Sequence, residues 1–385
     1  MSVTTPAGFE AAGVSAGLKS SAALDLALVV NRGPSRAAAA VFTSNRAQAN
    51  PIIWSRQVIA DGEVAAIVLN SGGANCFTGG QGFQTTHATA EAVAEHLDVS
   101  AGDVLVCSTG LIGEQLDSDA VLAGVAFAAA TLSADSAHGD DAARAIMTTD
   151  SVPKTVVVDG AGYTIGGMAK GAGMLAPGLA TMLVVLTTDA DLPAVELDRA
   201  LRAATRVSFD RLDSDGCMST NDQVTLMASG ASGITPDADA FTRLLTEACI
   251  ELMLQLQADA EGSSHDITIA VSGAETEEDA LEVARSVARS NLFKAAMFGN
   301  DPNWGRVLAA IGTTSAPFDP YAVDVWFNDV RLCHAGAPDR PRTDVDLSGR
   351  AVVVLIELHA GDDTATIYTN DLTHDYVHEN SAYSS

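Results

Sequence analysis

Unbroken or alternating apolar runs, which predict strands, and runs with apolar positions three and four apart, which predict helices, follow one another along almost the whole chain. Buried strands are predicted at residues 64–69 and 103–107, and helices at 88–97, 121–132 and 141–147. The run Thr155-Val156-Val157-Val158 and the run Tyr163-Thr164-Ile165 flank Asp159-Gly160-Ala161-Gly162, which predicts a hairpin. Further strands are predicted at 182–187, 224–227, 267–271, 323–327, 352–358 and 364–368, with helices at 194–204, 238–256 and 277–288. This is an α/β chain, and its late strands follow so closely that part of the sheet must be antiparallel. No linker of low complexity and no fixed-period repeat marks a domain boundary.

Length and composition narrow the class of function. With 385 residues, 47% of them hydrophobic and 18% charged, a large buried core is expected. The longest apolar run, residues 121–132, is mostly alanine and short of the about 18 residues that cross a bilayer. The start, Met1-Ser2-Val3-Thr4-Thr5-Pro6, shows no basic cluster and no secretory pattern. A net charge of −28 offers nothing to neutralise phosphates, which speaks against nucleic acid and against an anionic membrane surface. The five cysteines (Cys76, Cys107, Cys217, Cys249, Cys333) are scattered and form no C-x-x-C pair, a pattern of reduced thiols in a cytoplasm.

The most unusual segment runs Gly166-Gly167-Met168-Ala169-Lys170-Gly171-Ala172-Gly173-Met174-Leu175-Ala176-Pro177-Gly178-Leu179-Ala180-Thr181 and then enters an apolar strand. Glycine admits backbone conformations closed to other residues, so an irregular stretch is expected here, with Thr181 where it becomes the strand. A threonine hydroxyl needs a neighbouring base to act as a nucleophile. Cutting the Ala180–Thr181 bond would supply one, because the freed α-amine, with a pKa of about 7.7–8.0, is partly unprotonated at neutral pH. The hydroxyl can make that cut itself by attacking the Ala180 carbonyl. A plain tight turn or a phosphate loop explains glycine runs more often, yet neither G-x-G-x-x-G nor G-x-x-x-x-G-K-[ST] occurs in the segment.

Other motifs carry less. Ser108-Thr109-Gly110 follows a predicted strand, and such an end can aim a hydroxyl and a backbone N–H at a developing oxyanion. An ordinary strand-to-helix turn has the same spelling. Gly13-Val14-Ser15-Ala16-Gly17 matches G-x-S-x-G, but no strand is predicted before it to form a nucleophile elbow. His374 and His378, four apart, read as a surface pair because no third metal ligand clusters with them.

Several ordered blocks together resemble the ornithine acetyltransferase family of arginine biosynthesis, also called glutamate N-acetyltransferase or ArgJ. They are Val41-Phe42-Thr43-Ser44-Asn45, Asn70-Ser71-Gly72-Gly73-Ala74-Asn75, Ser108-Thr109-Gly110, Ile146-Met147-Thr148-Thr149-Asp150 and, most specifically, Lys170-Gly171-Ala172-Gly173-Met174 with Ala180-Thr181-Met182-Leu183. Ser219-Thr220-Asn221-Asp222, Asp259-Ala260-Glu261-Gly262, Asp301-Pro302-Asn303-Trp304-Gly305-Arg306 and the last seven residues, from Glu379 to Ser385, complete the set. The resemblance implies a layered α/β sandwich with mixed, partly antiparallel sheets, self-cleaved before Thr181 into chains 1–180 and 181–385 that pair as a heterotetramer. It implies acetyl transfer from N-acetylornithine to glutamate through an acetyl-threonine, with acetyl-CoA a second candidate donor and with no metal or bound cofactor. Thr109 and Gly110 match the oxyanion pair. Thr148, Lys170, Thr181, Glu261, Asn380 and Ser385 match substrate contacts.

Those roles fit the substrates' chemistry. Both are α-amino-acid derivatives, so Lys170 offers a counter-charge to a carboxylate and Glu261 one to an amine. Four stretches depart from the family pattern: Gly73, Cys76-Phe77, Ala260, and Ser263-Ser264-His265, where a small residue, threonine and lysine are usual. The last removes a positive charge near the expected pocket. Two rival functions remain open on the sequence, an amidase or aminopeptidase working through the same terminal threonine and a non-catalytic amino-acid sensor.

Overall fold

The computed structural model describes residues 2–176 and 182–382. In chain order the first half holds β1 (Phe9–Val14), β2 (Leu26–Asn31), β3 (Ala38–Phe42), α1 (Asn50–Val58), β4 (Ala66–Asn70), α2 (Gly79–Leu97), β5 (Val104–Ser108), α3 (Ser118–Ala130), α4 (Ser136–Ala145), β6 (Lys154–Asp159) and β7 (Thr164–Lys170). The second holds β8 (Leu183–Thr188), α5 (Ala194–Val207), β9 (Gln223–Ala228), α6 (Ala238–Ala258), β10 (Asp266–Ala274), α7 (Glu277–Ala288), α8 (Asn291–Phe298), α9 (Trp304–Ile311), β11 (Asp324–Phe327), β12 (Val330–His334), β13 (Ala337–Pro338), β14 (Ala351–Glu357), β15 (Asp363–Asn370) and α10 (His374–Ala382).

Among the described residues three mixed sheets result, ordered β1-β2-β4-β5, β3-β9-β8-β7-β6 and β13-β12-β11-β14-β10-β15. The first two stack face to face. Alternate side chains of a strand point to opposite faces, and β8 shows both: Leu183 and Val185 pack with Ile67, Leu69 and Leu105 of the four-stranded sheet, while Val184 and Leu186 pack with Leu201, Phe241 and Leu245 of α5 and α6. The opposite face of the four-stranded sheet is covered by α2 and α3 through Val93, Val121 and Val125. The layers are therefore helix, sheet, sheet, helix. The six-stranded sheet builds a separate core with α7, α8 and α9.

The expected irregular stretch after Gly166 begins later than the sequence predicts. Gly166 to Lys170 complete β7, paired antiparallel with β6 and β8, because the ladder on both sides satisfies the backbone there. A strand also precedes the G-x-S-x-G run, since Gly13 and Val14 end β1, but the chain then leads antiparallel into β2 and no elbow forms. The Ala180–Thr181 bond falls within the connection from β7 to β8. Fragments 1–180 and 181–385 would thus share the five-stranded sheet, with β3, β6 and β7 from one and β8 and β9 from the other.

Candidate active site

The parallel pairing of β4 with β5 sets Asn70 opposite Ser108 at the strand ends. Ser108 Oγ donates to Asn70 Oδ1 at 2.6 Å, and Asn70 Nδ2 donates to Gly73 O at 3.1 Å. Thr109 N–H donates to Asn70 O at 2.9 Å, and Thr109 O accepts from Gly73 N–H at 3.0 Å. Asn221 closes the frame, its Nδ2 donating to Ala74 O at 2.7 Å and Ser108 O at 2.8 Å. With the Thr109 backbone engaged on both sides, its side chain and the following N–H are what the turn leaves for a ligand. Gly110 has φ +126°, and a Cβ there would lie 2.8 Å from Gly73 N, so only glycine fits.

Lys170 arrives from the facing sheet. It shares a face of β7 with Met168, whose side chain lies in the inter-sheet core beside Cys107, the residue two before Thr109. Parity therefore turns Lys170 and Thr109 toward one another, and Lys170 Nζ donates to Thr109 Oγ1 at 3.4 Å. The ammonium is buried, has no carboxylate within ion-pair distance among the described residues, and is expected to draw an anion. Burial lowers its pKa, while the carboxylates of Asp150 and Glu261 pull it back up. By occupying a lone pair of the threonine oxygen, Lys170 leaves the Thr109 O–H free to donate elsewhere.

Asp150 ties the surroundings together. Its Oδ1 accepts from Gly171 N–H at 2.6 Å and Lys154 Nζ at 2.7 Å, and its Oδ2 from Thr148 N–H at 3.0 Å. Lys154, wholly buried, also donates to Asp259 Oδ2 at 2.6 Å, drawing the end of α6 toward β6. Glu261 follows two residues on. Its N–H donates to Ala172 O at 3.0 Å, and its carboxylate accepts from Thr149 Oγ1 at 2.8 Å and Asn380 Nδ2 at 2.9 Å. A Cβ on Gly173 would lie 2.5 Å from either carboxylate oxygen, so the second glycine of the Lys170-Gly171-Ala172-Gly173 run is needed for close approach.

Six of the eight expected site residues thus fall around one spot, the end of β7: Thr109, Gly110, Thr148, Lys170, Glu261 and Asn380. Gly110, Thr148 and Asp150 also line a cavity of about 880 Å³. The other two, Thr181 and Ser385, lie outside the described residues, as does Ala180. Sequence reasoning gave no role to Asn70 and Asn221, which frame the turn, nor to Asp150 and Lys154. Asn70, Asn221 and Asp150 stood within the family blocks, and an Asn that ends a buried strand or lies just before one is the signal that marks the first two. The departure at Ser263-Ser264-His265 is absorbed structurally: His265 is buried, with Nδ1 2.8 Å from Asp371 Oδ2 and Nε2 3.1 Å from Leu347 O. His374 and His378 are exposed on α10, the former edge-on to Phe298.

A model of the ArgJ family matches residues 10–385. The arginine biosynthesis bifunctional protein ArgJ of Streptomyces coelicolor is 60% identical over 385 residues, spanning 100% of both chains. Its counterpart from Thermobifida fusca is 57% identical over the same 385 residues, again 100% of both. A crystal structure of ornithine acetyltransferase from Mycobacterium tuberculosis, complexed with ornithine, is 54% identical and covers 47% of this chain and 96% of its own, with a TM-score of 0.46.

Proposed function

The chain belongs to the ArgJ family, and from that premise we propose how this acetyltransferase of arginine biosynthesis works: it cuts itself before Thr181 and carries the acetyl group on the Thr181 hydroxyl. The freed α-amine takes the hydroxyl proton as Thr181 attacks the acetyl carbonyl of N-acetylornithine. The Thr109 O–H and the Gly110 N–H receive the developing oxyanion. Ornithine leaves with the proton, and the glutamate amine then attacks the acetyl-threonine and restores the enzyme. Lys170 holds the α-carboxylate common to both amino acids, and Glu261, steadied by Thr149 and Asn380, attracts the amine. Thr148 and Ser385 complete the substrate contacts. Because the relatives named above are called bifunctional, acetyl-CoA is proposed as a second donor.

The observation that carries this reading is the meeting of Lys170, Thr109 and Gly110 at the end of β7, from which a single connection that includes position 181 leads to β8. Denaturing mass spectrometry with N-terminal sequencing tests it, with fragments 1–180 and 181–385 expected. Incubation with N-acetylornithine tests the transfer. Ornithine released as fast without glutamate as with it, leaving only free acetate, would assign the site to an amidase instead. The two fragments are proposed to pair as a heterotetramer in the cytoplasm, which light scattering of the native enzyme and cell fractionation check. Among the described residues no helix is long and apolar enough to cross a membrane.

The oxyanion pair gives a graded prediction. Thr109→Ala removes one donor and should lower kcat for acetyl transfer about 10²–10³-fold with a much smaller change in KM. Thr109→Ser keeps the hydroxyl and should recover most of the rate. Steady-state kinetics on both variants decide it, and a kcat for Thr109→Ala within threefold of the wild type would remove Thr109 from the oxyanion site.

A further inference from the structure

Asp222 takes no part in the scheme above, yet it is a buried titratable group that holds the amide of Met182, one residue past the bond to be cut in the sequence. It is buried just before β9, the strand that runs parallel to β8. Its Oδ1 accepts from Met182 N–H at 3.2 Å, and the next residue, Gln223, donates its N–H to Met182 O at 3.2 Å. The amide that Asp222 holds is the one joining Met182 to Thr181. Asp222 Oδ2 is also buried, and among the described residues it accepts no hydrogen bond of ordinary geometry, although the Ser219 and Thr43 hydroxyls lie beside the carboxyl. A buried oxygen so weakly partnered calls for an explanation. Its neighbour Asn221 frames the Thr109–Gly110 turn, so the same loop holds both the oxyanion donors and the Met182 amide.

We propose that Asp222 is the acid–base group of the self-cleavage step, relaying the proton of the Thr181 hydroxyl to the Thr181 nitrogen. The inference rests on the self-cleavage reading of Thr181. As the hydroxyl oxygen bonds to the Ala180 carbonyl carbon and the bond from that carbon to the Thr181 nitrogen breaks, one carboxyl oxygen of Asp222 takes the hydroxyl proton. The other gives the acid's own proton to the departing nitrogen. An ester and an amine are left, and Asp222 ends as it began, a neutral acid. Water then hydrolyses the ester, its hydroxyl going to the Ala180 carbon and its hydrogen to the Thr181 oxygen. Before cleavage Thr181 has no free α-amine, so the base that serves acetyl transfer does not yet exist for this first step, and a second group is needed. The relay requires a neutral acid able to donate and accept together. Burial pushes the Asp222 carboxyl well above the usual carboxylate range, and the Ser219 hydroxyl, the Met182 amide and the Lys170 charge, which favour ionisation, do not restore it.

The test uses full chains made in a cell-free system, translation being stopped and the appearance of fragment 181–385 followed on denaturing gels. Asp222→Asn keeps an oxygen to accept from Met182 N–H and keeps a neutral group, but it cannot relay a proton. Cleavage should slow at least about 100-fold with an unchanged unfolding midpoint, whereas a purely structural Asp222 predicts a rate within threefold of the wild type, which would overturn the proposal. Asp222→Gly adds a readout that structure alone would not move, because added formate can enter the space vacated and should restore cleavage. A folded Asp222→Gly chain that stays uncut in excess formate also overturns it. A wild-type chain that is itself uncut marks the failure of the Thr181 reading, and the proposal falls with it.

Discussion

Thr181→Ala should leave a single uncut chain of 39.5 kDa with acetyl transfer lower by at least about 10⁴-fold. Two losses coincide in this variant. The methyl group cannot attack the Ala180 carbonyl, so no α-amine is freed, and it cannot hold an acetyl ester afterwards. The hydrogen bonds that hold Lys170 and Glu261 in place join residues other than Thr181, so the alanine chain should keep the same fold. Thr181→Ser keeps a hydroxyl and should cut slowly and retain part of the activity. Mass spectrometry under denaturing conditions reads the first outcome, and ornithine release with and without glutamate reads the second. Full transfer by an intact alanine chain would end the terminal-threonine mechanism.

How far the sequence could be read depended on the length and contrast of each pattern. Helix α7 matches its prediction from Glu277 to Ala288, because charged residues at 277–279 contrast with apolar positions three and four apart. The hairpin of β6 and β7 was equally plain, since Asp159 to Gly162 spell a turn. The first three strands were not legible: Ala38–Phe42 reads Ala-Ala-Ala-Val-Phe, and buried alanine has no period to distinguish strand from helix. Helices α8 and α9 are eight residues each, too short to show periodicity against the loops beside them. The site divides the same way. Glycine at 110 and 173 and lysine at 170 stand out as letters, and the family resemblance assigned them. That Lys170 turns toward Thr109 depends on the register of β7 against β8 and on two sheets stacking, which no local pattern contains. Asp150, Asp222 and Lys154 look like surface charges in the sequence, and only burial reveals that they hold the site together.

Asp150→Asn should be the most destabilising single change at the site, by about 2–5 kcal/mol, read as a lower midpoint in urea unfolding. The carboxylate is buried and stands between the ammonium groups of Lys154 and Lys170. Burial raises its pKa, but the charges of Lys170 and Lys154, the Lys154 hydrogen bond and the Gly171 N–H outweigh that and hold it at about 2. A displacement from the ordinary 3.8 to about 2 corresponds to about 2 kcal/mol, which sets the lower figure. Breaking a buried ion pair on one side costs about 3–5 kcal/mol, which sets the upper. Because the folded pKa is depressed, this stability is fully present above the unfolded value near 4 and is lost as the pH falls from there toward 2. Unfolding free energies of the wild type should therefore drop across that window, and those of Asp150→Asn should drop less by the same about 2 kcal/mol. The variant should also weaken substrate binding without touching Thr109. Asp150 is the first of the charges that keep Lys170 protonated against burial, so its removal makes the ammonium easier to lose and should raise KM for both amino acids together. Equal stability of the two proteins at pH 7 would show that Lys154 and Asp259 alone hold β6 to the end of α6, and that the Gly171 amide needs no carboxylate to set the β7–β8 connection on its course.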